Sequence, residues 1–170
     1  LGKKHYDNLI TVDLVCHGAP SQKSFSRYIE EKYGTENLAD FKFRTKKFGY
    51  SSFNQIAYLK DGTEVPSNFK FDEYEKAMHS GVALKDICGA CMFASAPRQG
   101  DISIGDCWGV SQFNVNYNDH KGTSAILINN NKGEKVFGQI KDRMKLCEPI
   151  PYDFLRHHNR FGRKMNIPSG

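Results

Sequence analysis

Cys88 and Cys91 form a C-x-x-C pair, and two thiolates so spaced can grip one metal where a disulfide would strain so short a loop. Cys107 follows in Gly105-Asp106-Cys107-Trp108-Gly109, and Cys16 lies far upstream in Val15-Cys16-His17-Gly18-Ala19-Pro20. Thiolates in such numbers suit tetrahedral zinc or an iron–sulfur cluster. The spacing of Cys88, Cys91 and Cys107 follows the first three ligands of a two-pair zinc site whose closing C-x-x-C is missing here. Cys16, brought in by the fold, is one candidate for the fourth ligand. The plain alternative is a buried free cysteine, a common core residue. It applies above all to Cys107 beside Trp108 and to Cys147 after a helical stretch.

Two further loops carry chemistry. Cys16-His17-Gly18-Ala19-Pro20 joins a strand pattern to a helix pattern, and helix N-terminal amides at such a loop can meet an anion. A tight turn that needs Gly18 is the alternative. Cys16 and His17 as nucleophile and base are disfavoured, because adjacent residues of an extended chain face opposite ways. Arg44-Thr45-Lys46-Lys47-Phe48-Gly49-Tyr50 sets cations beside aromatics and a glycine. That set suits a phosphate or pyrophosphate with a ring system covered by an aromatic, or else a solvated basic face. Lys121-Gly122-Thr123-Ser124 precedes a strand and is not a phosphate-binding loop of the nucleotide-triphosphatase kind. His5, His79, His120, His157 and His158 show no metal spacing, and no paired-carboxylate acid/base site is legible.

These loops need elements to hold them. Leu9 to Val15 reads as a buried strand, and Ser21 as the N-cap of a helix reaching about Tyr33, stopped by Gly34. Phe41, Phe43 and Thr45 alternate with cations as a strand does. A second strand runs from about Ser51 to Lys60, and Asp61-Gly62 turns the chain back through Thr63 to Val65, with Pro66 ending the pairing. Asp72 caps a short helix to about Met78. Asp86 to Gly100 is a cysteine-bearing loop, Asp101 to Gly105 a strand, Val110 to Asp119 a loop, Ser124 to Asn129 a buried strand, and Lys132 to Leu146 a helix. The fold class expected is α/β, with α+β as the variant: a mixed sheet flanked by helices, with residues 1–150 as the domain and 151–170 as a basic tail.

The chain has 170 residues, 39% hydrophobic and 12% aromatic, enough for an ordinary core. Its net charge of +5 is a mild excess that favours an anionic cofactor or acidic partner, without the concentrated basic face of a nucleic-acid binder. No run is long enough to span a membrane. Five cysteines disfavour an even disulfide framework and point to a reducing, cytoplasmic setting. Leu1 in place of a methionine leads us to expect a fragment.

The same residues carry a family likeness. Val12 to Ser21, VDLVCHGAPS, resembles the signature of the C-terminal domain of the coenzyme F420 hydrogenase/dehydrogenase beta-subunit family. Phe43 to Phe53, FRTKKFGYSSF, is similar to its basic–aromatic segment, and Asp86 to Phe93, DICGACMF, to its C-x-x-C-x-F element. Asp101 to Val110, DISIGDCWGV, resembles its DITIGDxWG run, and Lys121 to Gly133, KGTSAILINNNKG, its KGTSLVLVNTEKG-like run. All five occur in the family's order.

The resemblance implies a flavoprotein oxidoreductase subunit in which FAD takes a hydride or electrons from a deazaflavin or other donor, and a 4Fe–4S cluster passes single electrons on. It makes Cys16, Cys88 and Cys91 cluster-ligand candidates, with Cys107, more often another residue in the family, as a substitute fourth. His17, Gly18, Arg44, Lys46 and Gly49 are the flavin-side candidates. The partner implied is a redox protein or an N-terminal ferredoxin-like domain. The competing reading is a non-catalytic, zinc-stabilised interaction domain.

Overall fold

The computed structural model describes residues 6–49, 54–68, 70–118, 120–159, 164 and 167. His5, Tyr50, Asp119, Arg160, Arg163 and Pro168, and residues 51–53 of the expected second strand and basic–aromatic segment, lie outside them. In chain order the elements are β1 (Val12–Leu14), α1 (Gln22–Tyr33), β2 (Leu38–Lys42), β3 (Asn54–Leu59), β4 (Glu64–Asn68) and α2 (Glu73–Ser80). They continue with β5 (Ile102–Asp106), α3 (Val110–Phe113), β6 (Ser124–Ile128), α4 (Asn131–Ile140) and α5 (Tyr152–His158). The chain is α/β and divides into two compact units. The first takes the described residues of Leu1–Cys16, Met92–Val115 and Thr123–Arg163, the second those of His17–Cys91, Asn116–Gly122 and Lys164–Gly170. Among the described residues no helix is long and apolar enough to cross a membrane.

The first unit is built on a mixed sheet in the order β1-β5-β6. β1 runs parallel to β5, with Val12 opposite Ile102, and β5 runs antiparallel to β6, with Ile102 opposite Ile128. β1 is shorter than the seven-residue apolar pattern suggests, and Val12 and Leu14 are exposed, because this strand pairs on one side only. The core gathers Cys107, Ala125 and Leu155, with Val15, Val110, Leu127 and Ile150 packed against them. Leu155 belongs to α5, so part of the segment expected as a tail is helix with a buried side chain. The polar stretch after Trp108, read as loop, contains the single turn α3.

Hydrogen bonds lock this unit's polar groups in pairs. Arg98 Nη2 donates to Asp13 Oδ1 at 2.6 Å, and the Gly100 amide to Asp13 Oδ2 at 2.8 Å. Burial raises the Asp13 carboxyl, but Ser103, Arg98 and the Gly100 amide outweigh it and hold the group below its ordinary value. Asp101 accepts from the Thr11 amide at 2.7 Å and the Thr11 hydroxyl at 2.8 Å, joining the start of β5 to the approach to β1. Asn130 caps α4 by accepting from the Gly133 amide at 2.9 Å. A side chain at Gly133 would stand 2.2 Å from the Asp101 carbonyl oxygen, so this helix start seats on the sheet only with glycine there.

The second unit is an antiparallel meander, β2-β3-β4, under α1 and α2. β3 is central, and Gln55, Ile56 and Ala57 are fully buried. The Asp61-Gly62 turn forms as its sequence requires, with Gly62 at φ +88°. Pro66 does not end the pairing: it lies opposite Ile56 inside β4. An edge strand tolerates proline because the missing amide is one that no neighbour would receive. α1 packs through an aromatic cluster in which Phe25 meets Phe43 at 4.9 Å and Tyr28 stacks on Tyr74 at 4.9 Å between ring centroids. Asp72, 1% exposed, caps α2 by accepting from the Glu75 amide at 3.0 Å. It also accepts from Tyr28 Oη at 2.7 Å and pairs with Lys32. Burial raises its carboxyl, but Lys32, the Glu75 amide and Tyr28 hold it below the ordinary range.

Candidate functional site

The loop that begins at His17 and the cysteine loop are laced together inside the second unit. The Ser21 amide donates to the Ala83 carbonyl at 2.9 Å and the Lys85 amide to the Ala19 carbonyl at 3.0 Å. Pro20 and Leu84 form the bridge between these bonds. Gly18 sits at φ +142°, and a Cβ there would lie 2.5 Å from a Leu84 methyl, so the turn requires glycine on both counts. The lacing brings the Ala19 amide to Cys88 Sγ, 3.3 Å away. Cys88 ends a single 3-10 turn, Asp86–Cys88, and Cys91 follows, both half-buried. Two segments far apart in sequence thus place an amide donor on a thiol of the C-x-x-C pair. Hydrogen bonds to cysteine sulfur are one of the levers that tune a bound cluster.

Cys16 and Cys107 belong to the first unit. Cys16 is exposed just past β1. Cys107 is buried in the core cluster, and desolvation pushes its thiol up, which favours the protonated form rather than the thiolate a metal needs. Among the described residues no group of three or more His, Cys, Asp or Glu side chains is gathered as a metal ion requires. Cys88 and Cys91 therefore fit a cluster or zinc in donor type, and the described residues do not by themselves complete a four-ligand cage.

The flavin-side candidates separate into two groups. Lys46 and Gly49 close an exposed turn through the Gly49 amide and Lys46 carbonyl at 3.1 Å, with Gly49 at φ +96° and open space around it. His17 and Arg44 instead share a buried neighbour that the sequence left unremarked, Glu75 of α2. Its side chain is 13% exposed and touches the Gln55 amide nitrogen. His79 Nε2 stands 3.4 Å from Glu75 Oε2, and the His17 ring packs edge-on against His79 at 5.3 Å. His17 Nε2 also lies 3.2 Å from the Met78 carbonyl. Burial raises the Glu75 carboxyl and Asp72 adds to the rise, while Gln55, Arg44 and His17 oppose it, and the net direction is up. Burial and then Arg44 push the His79 imidazole down. The missed signal was the four-residue spacing of Glu75 and His79, which puts both on one face of a helix.

A family model for the C terminus of the beta subunit of coenzyme F420 hydrogenase/dehydrogenase matches residues 2–150. The chain belongs to that family. No curated protein matches it. Membership marks a redox domain of the hydrogenase/dehydrogenase beta-subunit type. The match covers both loops laced at Ala19 and Cys88, the basic turn and the Glu75 cluster.

Proposed function

We propose that this chain is the electron-transferring domain of a flavin- and iron–sulfur-dependent oxidoreductase subunit. FAD would accept a hydride or electrons from a deazaflavin or other reduced donor, and a 4Fe–4S cluster would pass single electrons to a redox partner protein or a ferredoxin-like domain. Cys88 and Cys91 are the first two cluster ligands proposed, with Cys16 the next candidate and Cys107 the weakest because its thiol is buried. Arg44 and Lys46, with the turn at Gly49 and the loop at His17 and Gly18, are the proposed flavin side, where cations meet a pyrophosphate. The observation that supports the reading best is the Ala19 amide on Cys88 Sγ within a family whose motifs run the length of the match.

Anaerobic reconstitution of the full-length subunit with iron, sulfide and FAD tests it. The expected visible spectrum carries flavin bands and a broad cluster absorption, and Cys88→Ser with Cys91→Ser removes the cluster absorption. A reconstituted protein with neither set of bands overturns the proposal. Metal analysis that finds zinc without iron favours the zinc-stabilised interaction domain instead.

A further inference from the structure

We propose that Gln55, Glu75 and His79 form a proton-binding site, in which Glu75 holds a proton as the neutral carboxylic acid against the Gln55 amide and His79 stands beside it as a neutral imidazole. The inference concerns the second unit's own residues and does not depend on the flavin or cluster reading.

Hydrogen-bond accounting carries it. Gln55 is fully buried at the centre of the meander, and its side-chain carbonyl oxygen has no partner. A buried acceptor left without a donor costs about 1–3 kcal/mol. The polar group the amide touches is Glu75. An ionised carboxylate only accepts, so it cannot serve that oxygen. A protonated Glu75 has a hydroxyl to give, and a turn of the Gln55 amide presents the oxygen to it. The amide contact thus has a donor in either orientation only when Glu75 is protonated.

The charges around the carboxyl leave room for this state. Asp72, at the start of the same helix, repels the carboxylate. Arg44, beyond β2, and His17, on the loop before α1, attract it, and His79 faces it across 3.4 Å. Burial outweighs the attraction, and the same burial with Arg44 keeps His79 from charging. The site has two internal states with the same proton count. In one the proton is on Glu75. In the other the Glu75 O–H bond breaks, an N–H bond forms at His79 Nε2, and the pair becomes carboxylate and imidazolium with no outside reactant. Loss of the proton from the pair places a net negative charge beside Arg44 and His17. Any anion that Arg44 binds would therefore favour the protonated state, by linkage.

The test is a pH titration of the full chain labelled with carboxyl-carbon-13 glutamate, with Glu75 assigned through its backbone in the wild type. The expected Glu75 midpoint lies above the ordinary glutamate value of about 4.3 and above those of the other glutamates. A midpoint at or below that value overturns the proposal. A second readout follows the His79 ring in the wild type and in Glu75→Gln. A neutral acid replaced by a neutral amide leaves the His79 midpoint nearly unchanged. A fall of about one unit or more shows that Glu75 was a carboxylate supporting a charged His79, and this too overturns it.

Discussion

Asp13 in the first unit and Glu75 in the second are both largely buried carboxylates beside a nitrogenous base, yet they are driven in opposite directions. Burial raises both. Asp13 receives the Arg98 guanidinium on one oxygen and the Gly100 amide on the other, so its charge is satisfied at short range. Glu75 receives one neutral amide and a histidine that burial keeps from charging. The comparison shows that a nearby cationic residue type does not settle a buried carboxyl's state. The number of donors aimed at it, and whether the partner can lose its own charge, decide the matter. Arginine cannot lose its charge in a protein, whereas histidine can.

The largest expected effect comes from removing the permanent charge. Arg98→Met leaves Asp13 partly buried without its counter-ion and should cost about 3–5 kcal/mol, read from the midpoint of urea unfolding at neutral pH. A loss below about 1 kcal/mol would mean that the Gly100 amide and solvent satisfy Asp13 alone, and the contrast with Glu75 would collapse.

Glu75→Gln should act in the opposite sense and depend on pH. A carboxyl raised in the folded state contributes stability that is full below its unfolded value, near 4.3, and is lost as pH rises through the folded value. The variant cannot ionise there, so its stability should fall less than the wild type's across that window, as urea midpoints at a series of pH values would record. Equal slopes would place Glu75 with Asp13 as a satisfied carboxylate.

The smallest effect belongs to Asp101, which shows what donors do with little burial. The Thr11 amide, followed by Asn130 and the Thr11 hydroxyl, holds it down to about 2. Its contribution is present above the unfolded value near 3.9 and lost as pH falls towards about 2, so Asp101→Asn should flatten the acid limb of the stability profile and leave neutral pH little changed.

Much of the frame was legible because local chemistry forces it. Gly34 ends α1, Asp72 caps α2 and Asp61-Gly62 turns the hairpin, each through a backbone requirement that few other residues meet. Pro66 was misread because a proline's meaning depends on whether its strand is central or at an edge, and that is not a local property. The buried strand expected from Leu9 to Val15 failed likewise: apolar composition does not say how many neighbours a strand acquires. The loops at His17 and Cys88 were each visible, but their lacing through Ser21, Ala19 and Lys85 joins segments more than sixty residues apart. The Glu75 cluster was invisible for the same reason, since Gln55, Arg44 and His17 reach it from three other segments.

Sequence alone was enough for the residue types, the C-x-x-C pair, the turn and cap chemistry, the α/β class and the family likeness, because each rests on short-range spacing. Tertiary structure decided which thiol is buried, which amide meets Cys88 and which carboxyl is left short of donors. Those outcomes depend on desolvation and on hydrogen bonds between distant segments, and only the folded chain brings such groups within range of one another.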